Sequence, residues 1–268
     1  MNAPGYHVLE HLSRTRRLDT YEVWSDERAC SCVAKTLRPD QQDAARARTA
    51  LIAEGERLLA LTHPHIVRGY ELLTEPELVV IMETLDGETL AHLVDRRGAL
   101  PVEDVAWLGL HLGSALRYLH GHGLLHLDVK TANVVADSGR AKLIDLSLAR
   151  PPGRYHAGIG TWCNLSPEQA RGGELGTPAD VWGLGTVLYE AATGEPAFDD
   201  GSWTGDSATL DTDDQREAGY PQLEGPPPSA RGRTPRELAD LIDACLAPEP
   251  AERPSLDELM RDLKPVAA

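Results

Sequence analysis

Asp128, Lys130 and Asn133 stand close together in His126-Leu127-Asp128-Val129-Lys130-Thr131-Ala132-Asn133, and Asp145 follows after two short apolar runs. Those runs, Val134-Val135-Ala136 and Ala141-Lys142-Leu143-Ile144, flank Asp137-Ser138-Gly139-Arg140. Apolar strand, polar turn, apolar strand is the signature of a β-hairpin. Folded antiparallel about that turn, the hairpin puts Asn133 roughly opposite Ile144 and Asp145. An amide oxygen and a carboxylate at one end of a hairpin make a hard oxygen pair. Such a pair suits Mg²⁺, which takes one or two protein ligands and fills its shell with phosphate oxygens and water. Asp128 lies on a loop that can reach the same point, and Lys130 adds positive charge. A carboxylate, a cation and a metal pair are the groups that phosphoryl transfer needs. The same string also fits an ordinary hairpin with solvated polar ends, so the case rests on partners elsewhere in the chain.

The elements that must position these groups are legible in outline. Tyr6–Leu12 alternates as a strand, Ser13–Asp19 reads as a polar, basic turn, and Thr20–Trp24 and Ala29–Leu37 read as two further strands. Lys35 lies inside the third strand. A lysine among apolar neighbours is either a snorkelling edge charge or a fixed cation with a partner. Gln41–Leu61 reads as a helix carrying Glu54 and Glu56, and periodicity does not choose between them as that partner. Leu78–Met82 is a buried strand. Glu83–Glu88 is a polar connector, after which the chain turns helical, with a long helix over Val102–His120 between Pro101 and Gly121. The change of composition divides the chain into 1–84 and 85–268. Ala179–Ala192 is apolar almost all round, so it is a buried helix with Asp180 as its N-cap; a buried acid there can also hold a nearby loop by accepting backbone N–H bonds. Asp199–Pro235 reads as irregular with one short helix, and Arg236–Cys245 and Pro254–Leu263 as helices.

Composition narrows the function classes. The chain has 268 residues, 41% hydrophobic and 25% charged, as in a globular protein with a sizeable core. Net charge is −16, which argues against general affinity for nucleic acid or anionic lipid and favours a basic peptide partner. No run approaches the ~20 apolar residues of a membrane span, and Met1–Arg17 has no apolar core of a signal peptide. The expectation is a cytoplasmic protein with reduced cysteines. Cys30-Ser31-Cys32 reads as small thiols rather than a zinc site, and His120, His122 and His126 as loop histidines making local hydrogen bonds rather than a metal site.

The order of these parts resembles the protein kinases, specifically the bacterial eukaryotic-like Ser/Thr kinases, from about Tyr6 to Leu263. The likeness is carried by Cys32-Val33-Ala34-Lys35, Glu54 ahead of His63-Pro64-His65, Met82-Glu83, His126 to Asn133, Asp145-Leu146-Ser147, Gly160-Thr161, Ser166-Pro167-Glu168, Asp180-Val181-Trp182-Gly183 and Arg253-Pro254. It implies an α+β, bilobal fold: a small antiparallel sheet with one main helix, then a larger helical lobe. It implies transfer of the γ-phosphate of ATP, with Mg²⁺, to Ser/Thr hydroxyls of a protein. By the same resemblance Lys35 would hold the nucleotide phosphates and pair with Glu54, chosen over Glu56 by its distance from His63. Met82 and the backbone of Glu83 and Leu85 would meet adenine, with Leu12, Thr20, Ala34 and Val135 around the ring. Asp128 would accept or orient the substrate's proton, Lys130 would neutralise the transferred group, and Asn133 and Asp145 would bind Mg²⁺. Asp180, Glu168, Arg253 and Thr161 would be structural supports.

The chain departs from that pattern in places. The glycine-rich loop is replaced by Ser13, Thr15 and Leu18 with Arg14, Arg16 and Arg17 between, so the expectation is that arginine side chains substitute for backbone contacts to phosphate. Leu127 stands where the family's loop-pairing arginine is, and 148–159 holds no Ser or Thr, Tyr155 being its one hydroxyl. Activity is therefore expected to be independent of phosphorylation there. Leu146-Ser147 replaces Phe-Gly, and Asn164 replaces a tyrosine near the substrate-docking pocket. The competing readings are a pseudokinase that binds nucleotide or a partner as a scaffold, favoured by the missing glycines, and a small-molecule phosphotransferase, disfavoured by Ser166-Pro167-Glu168 and the Asp180 helix.

Overall fold

The computed structural model describes residues 1–42, 44–198 and 219–268. Two compact units emerge: Met1–Asp86 with Asp145–Ser147, and Gly87–Ile144 with Leu148–Ala268. The sequence reading divides the chain after Thr84. The structure divides it after Asp86 and adds Asp145–Ser147 to the first unit.

The first unit is a five-stranded antiparallel sheet in the order β1-β2-β3-β5-β4. Its strands are β1 (Tyr6–Arg14), β2 (Leu18–Ser25), β3 (Cys30–Leu37), β4 (Gly69–Leu73) and β5 (Val79–Glu83). The expected turn over Ser13–Asp19 shrinks to three residues. Ser13 and Arg14 pair with Thr20 and Asp19, because the Thr15 N–H reaches the Leu18 carbonyl at 2.9 Å and the Thr15 hydroxyl oxygen accepts the Leu18 N–H at 3.1 Å. Strand β4, which sequence reading missed, is a mixed segment with no clean alternation. Helix α1 (Ala45–Ala60) packs on one face of the sheet, where a Cβ on Gly55 would come within 2.9 Å of Leu72 and 3.0 Å of Val80. Val80 is the direct cross-strand partner of Lys35, so α1 covers the Lys35 face. The opposite face closes over Ala3, Val23, Cys32, Ala34, Val79 and Ile81.

The second unit is mostly helical. A three-stranded sheet joins β6 (Glu88–Thr89), β7 (Val134–Asp137) and β8 (Arg140–Leu143), and a two-stranded ribbon joins β9 (Gly153–Tyr155) and β10 (Gly173–Leu175). Its helices are α2 (Leu90–Arg97), α3 (Val102–Gly121), α4 (Pro167–Arg171), α5 (Thr177–Thr193), α6 (Arg236–Cys245) and α7 (Leu256–Leu263). Local chemistry sets their ends. The Thr89 hydroxyl caps α2, and capping boxes of Ser166 with Gln169 and Ser255 with Glu258 open α4 and α7. Helix α5 is the buried axis, with Trp182 fully enclosed and stacked on Phe198. It starts at Thr177-Pro178 with Gly176 as N-cap, so Asp180 lies inside the first turn rather than capping it. Proline early in the first turn, its φ already helical and its missing N–H unneeded there, explains the earlier start. Most of the irregular segment expected over Asp199–Pro235 lies outside the described residues; its described end carries one short 3₁₀ turn at Pro221–Leu223. Among the described residues no helix is long and apolar enough to cross a membrane.

Candidate active site

In the sheet unit, Lys35 Nζ donates to Glu54 Oε1 at 2.7 Å and lies 3.5 Å from Asp145 Oδ2. Glu54 is the buried acid of α1, and its side chain is 1% exposed. Burial works against the Lys35 ammonium, but the charges of Asp145 and Glu54 outweigh it and lift its pKa above the ordinary lysine value. Burial raises the Glu54 carboxyl, Lys35 opposes that rise, and the Asp145 charge adds to it. Lys35 is thus a fixed cation with two carboxylates, not a snorkelling edge charge. Asp145 Oδ1 in turn accepts the Ser147 N–H at 2.8 Å.

The pleat sorts the expected nucleotide residues. Thr20 is the direct partner of Lys35, and Met82 that of Val33, so Thr20, Val33, Lys35 and Met82 share one face. Ala34 does not join them. Successive side chains alternate, so Ala34 points into the opposite core cluster, and Val33 holds the position expected of it. Leu12 is 48% exposed at a bulge in β1. The N–H of Glu83 is spent on the Arg68 carbonyl at 2.9 Å, which leaves it no donor for a ligand; Leu85 is half-buried just beyond. Arg14 is also committed: its Nε and a terminal nitrogen grip the two oxygens of buried Asp19 at 2.7 and 3.0 Å. That grip holds the Asp19 carboxyl below its usual range. It removes Arg14 from the set expected to contact phosphate.

In the helical unit the loop before β7 gathers a polar cluster. Asp128 Oδ1 accepts the Thr161 hydroxyl at 2.6 Å, and Lys130 Nζ donates to that same hydroxyl oxygen at 2.6 Å. Asp128 Oδ2 lies 3.2 Å from Lys130 Nζ and accepts from Asn133 Nδ2 at 3.0 Å. Asn133 Nδ2 also donates to the Asp128 carbonyl at 3.0 Å. With both amide protons used, the Asn133 side-chain oxygen is left as a hard acceptor, the donor type that Mg²⁺ takes. The Ile144 N–H bonds the Asn133 carbonyl at 3.1 Å, and Val134 pairs with Leu143, so the hairpin closes in the expected register. Val135 lies in β7 opposite Lys142 and Thr89, 7% exposed.

Supports lie beneath this loop. Asp180 accepts the backbone N–H groups of His126 and Leu127, each at 2.8 Å, and contacts His120 Nε2 at 2.8 Å. Leu127 sits at φ 63°, an uncommon conformation for a branched residue. Its carbonyl accepts from Gln169 Nε2 at 2.9 Å. Gly160 at φ 123° passes close by, where a Cβ would fall 2.8 Å from that carbonyl. Arg253 uses all five of its donors. They go to both oxygens of Glu168 (2.6 and 2.9 Å) and to the carbonyls of Pro178, Ala247 and Pro248. Two of the three histidines bond locally, His122 with the Tyr118 carbonyl and His126 Nδ1 with the Asp128 N–H, whereas His120 lies in α3 rather than a loop and reaches Asp180, 60 positions away.

Sequence reasoning missed Glu190, near the end of α5, whose carboxylate accepts the Thr131 hydroxyl at 2.9 Å. Burial pushes its pKa up to about 7. It lines a hollow of about 650 Å³ with Lys130, Asp95, Cys163 and Asn164. The signal available was its spacing from Gly183, seven residues or about two helical turns, which places both on one stripe of the helix.

Residues 6–263 match the family model of the protein kinase domain. The serine/threonine-protein kinase PkaA of Streptomyces coelicolor is 34% identical over 226 residues, 81% of this chain. The serine/threonine-protein kinases PknB of Mycobacterium leprae and Mycobacterium tuberculosis are 38% and 37% identical over 54% and 58% of the chain. The chain spans 39% of the length of PkaA and about a quarter of PknB.

Proposed function

The chain belongs to the protein kinase family, and from that membership we propose that it transfers the terminal phosphate of ATP to serine or threonine hydroxyls of a protein. One observation carries the reading: an alcohol, that of Thr161, already sits between the Asp128 carboxylate and the Lys130 ammonium. A substrate alcohol meeting the same two groups would give its proton to Asp128 while Lys130 offsets charge on the transferred group. ATP supplies the phosphoryl group, and Mg²⁺ supplies charge neutralisation on its phosphates. Asn133 and Asp145 would hold Mg²⁺ through oxygen, and Lys35, fixed by Glu54, would hold the nucleotide phosphates. Thr20, Val33, Met82, Leu85 and Val135 would serve the adenine ring. In this reading the first unit binds nucleotide and the second carries the catalytic loop and the substrate platform.

A basic protein substrate is the finer part of the proposal. It is supported by the net charge of −16 and by the hollow beside Lys130, whose wall carries Glu190 and Asp95. Independence from phosphorylation of 148–159 is supported by Tyr155, whose hydroxyl is engaged with the Pro151 carbonyl at 2.6 Å. A cytoplasmic setting is supported by four free cysteines.

The test is transfer of radiolabelled γ-phosphate to a generic basic protein, wild type against Asp128→Asn. The expected loss in the variant is roughly 10²- to 10⁴-fold. Wild-type protein that is stabilised by Mg-ATP yet transfers nothing would replace this reading with the scaffold.

A further inference from the structure

The helical unit carries a second hollow, of about 270 Å³, lined by α2, α3 and the β7–β8 turn. None of the residues assigned above to phosphoryl transfer lines it. Its apolar surface comes from Leu93, Leu100 and Trp107, with buried Leu108 and Ala141 alongside. Trp107 is 50% exposed. It is not a loose side chain: its ring lies 5.8 Å from that of His111, whose Nδ1 accepts the Ala141 N–H at 3.3 Å. A large aromatic held open beside a hollow is the kind of anchor that dominates interface energetics.

The charges on the same rim point the other way from the rest of the molecule. The chain has 42 acidic and 26 basic residues, so its surface is acid-rich. Yet Arg97 and Arg140 both line this hollow, both are exposed, and neither makes an ion pair among the described residues. Glu88, the carboxylate that feels Arg97, is taken up by Arg96 and His92. Some arginines elsewhere find acids, as Arg117 finds Asp257 and Arg231 finds Asp240, while others such as Arg154 and Arg171 make no ion pair among the described residues; what sets Arg97 and Arg140 apart is that both flank one apolar hollow. Two guanidinium forks left open beside an exposed tryptophan match a carboxylate next to apolar side chains. Asp104 on the same rim repels a second acid at its end and gives such a ligand a direction.

We propose that this hollow is a docking site for a partner protein, which presents a short segment combining apolar side chains with Asp or Glu. The apolar side chains pack on Trp107, Leu93 and Leu100, and the carboxylate bridges Arg97 and Arg140. Its charge preference is opposite to that of the hollow beside Lys130, so one partner can engage both without competition between its acidic and basic segments.

The test uses two dye-labelled synthetic peptides, one alternating leucine with glutamate and ending in phenylalanine, the other identical but with lysine for glutamate. Anisotropy titration should give the acidic peptide a Kd in the micromolar range, about tenfold or more tighter than its lysine twin. Trp107→Ala should weaken the acidic peptide about tenfold. Arg97→Glu combined with Arg140→Glu should reverse the preference toward the lysine twin. All three side chains are exposed, so these variants should keep phosphoryl transfer to a basic test protein, which separates failure of this proposal from failure of the kinase reading. Equal binding of both peptides, or binding that both variants leave unchanged, overturns the proposal. A concentration-dependent dimer that Trp107→Ala abolishes makes a second copy of the chain the occupant and overturns it as well.

Discussion

Glu190→Gln should make the protein more stable, and only above about pH 5. Burial holds the Glu190 carboxyl at about 7 rather than its ordinary 4.5. Below pH 4.5 the group is protonated in both folded and unfolded chains and contributes no pH dependence. Between 4.5 and 7 the unfolded chain releases its proton while the folded one keeps it, so stability falls as pH rises. Above 7 the whole loss is in place. At 1.36 kcal/mol per pH unit the ceiling of that loss is roughly 3 kcal/mol. Glutamine keeps an oxygen for the Thr131 hydroxyl and carries no charge to bury. The variant should therefore match wild type near pH 4.5 and exceed it by up to about 3 kcal/mol at pH 8, a rise in melting temperature of roughly 6–12 °C. Tryptophan-fluorescence melts across that pH range measure it. Parallel curves for the two proteins, or a variant less stable at pH 8, would refute the reasoning. A basic side chain entering the hollow would draw the carboxylate back to its charged form, so the same variant should raise KM for a basic substrate and leave kcat in place.

Two further outcomes follow from the supports of the loop, and a third from Tyr155. Asp180→Asn leaves fewer acceptors for the His126 and Leu127 N–H groups; it should cost about 1–3 kcal/mol in urea unfolding and lower kcat more than it raises KM. Arg253→Lys keeps the charge but has three donors where five acceptors wait; a loss of about 2 kcal/mol or more, with an unchanged m-value, is expected. Phosphatase treatment and Tyr155→Phe should each leave transfer activity within about twofold of untreated wild type, since among the described residues the Tyr155 hydroxyl bonds the local Pro151 carbonyl; loss of activity in either would contradict the reading of 148–159.

What was legible in the sequence was whatever short-range chemistry determines. The hairpin register followed from turn residues and apolar runs, and the bounds of α3, α6 and α7 followed from proline, glycine and a serine cap, whereas α1 begins at Ala45 rather than Gln41 and α5 begins before Asp180. The misplacement of Ala34 was avoidable, since strand alternation alone puts residues 33 and 35 on one face. The Arg14–Asp19 fork is a cross-strand pair, invisible while both residues were assigned to a turn. The bridge from Asp128 through Thr161 to Lys130 could not be read at all without a template. It spans 33 positions, and nothing local in either segment encodes the meeting. Glu190 was hidden by its own helix, whose continuous apolar character drew attention to burial and away from the single acid near its end.

Helix α5 fastens the loop that carries Asp128 and Lys130. From Asp180 to Glu190 it advances about 15 Å at 1.5 Å per residue. The loop from His126 to Thr131, turned at Leu127 where φ is 63°, lies against it. The contacts fall in order along the helix. Asp180 takes the N–H groups of His126 and Leu127; at Gly183 a Cβ would press on Val129 at 3.0 Å; Glu190 takes the Thr131 hydroxyl. Positions 183 and 190 share one stripe of the helix, and 180 lies one turn earlier, about 60° round from 183. The loop is therefore fastened at both ends and packed closely on the helix at its middle. That leaves Asp128 and Lys130, on the residues between the fastenings, free to face Thr161 and a substrate. A chain with a larger residue at 183 should lose transfer activity while the Asp180 and Glu190 contacts survive, because the middle of the loop, and Asp128 with it, would be pushed off the helix.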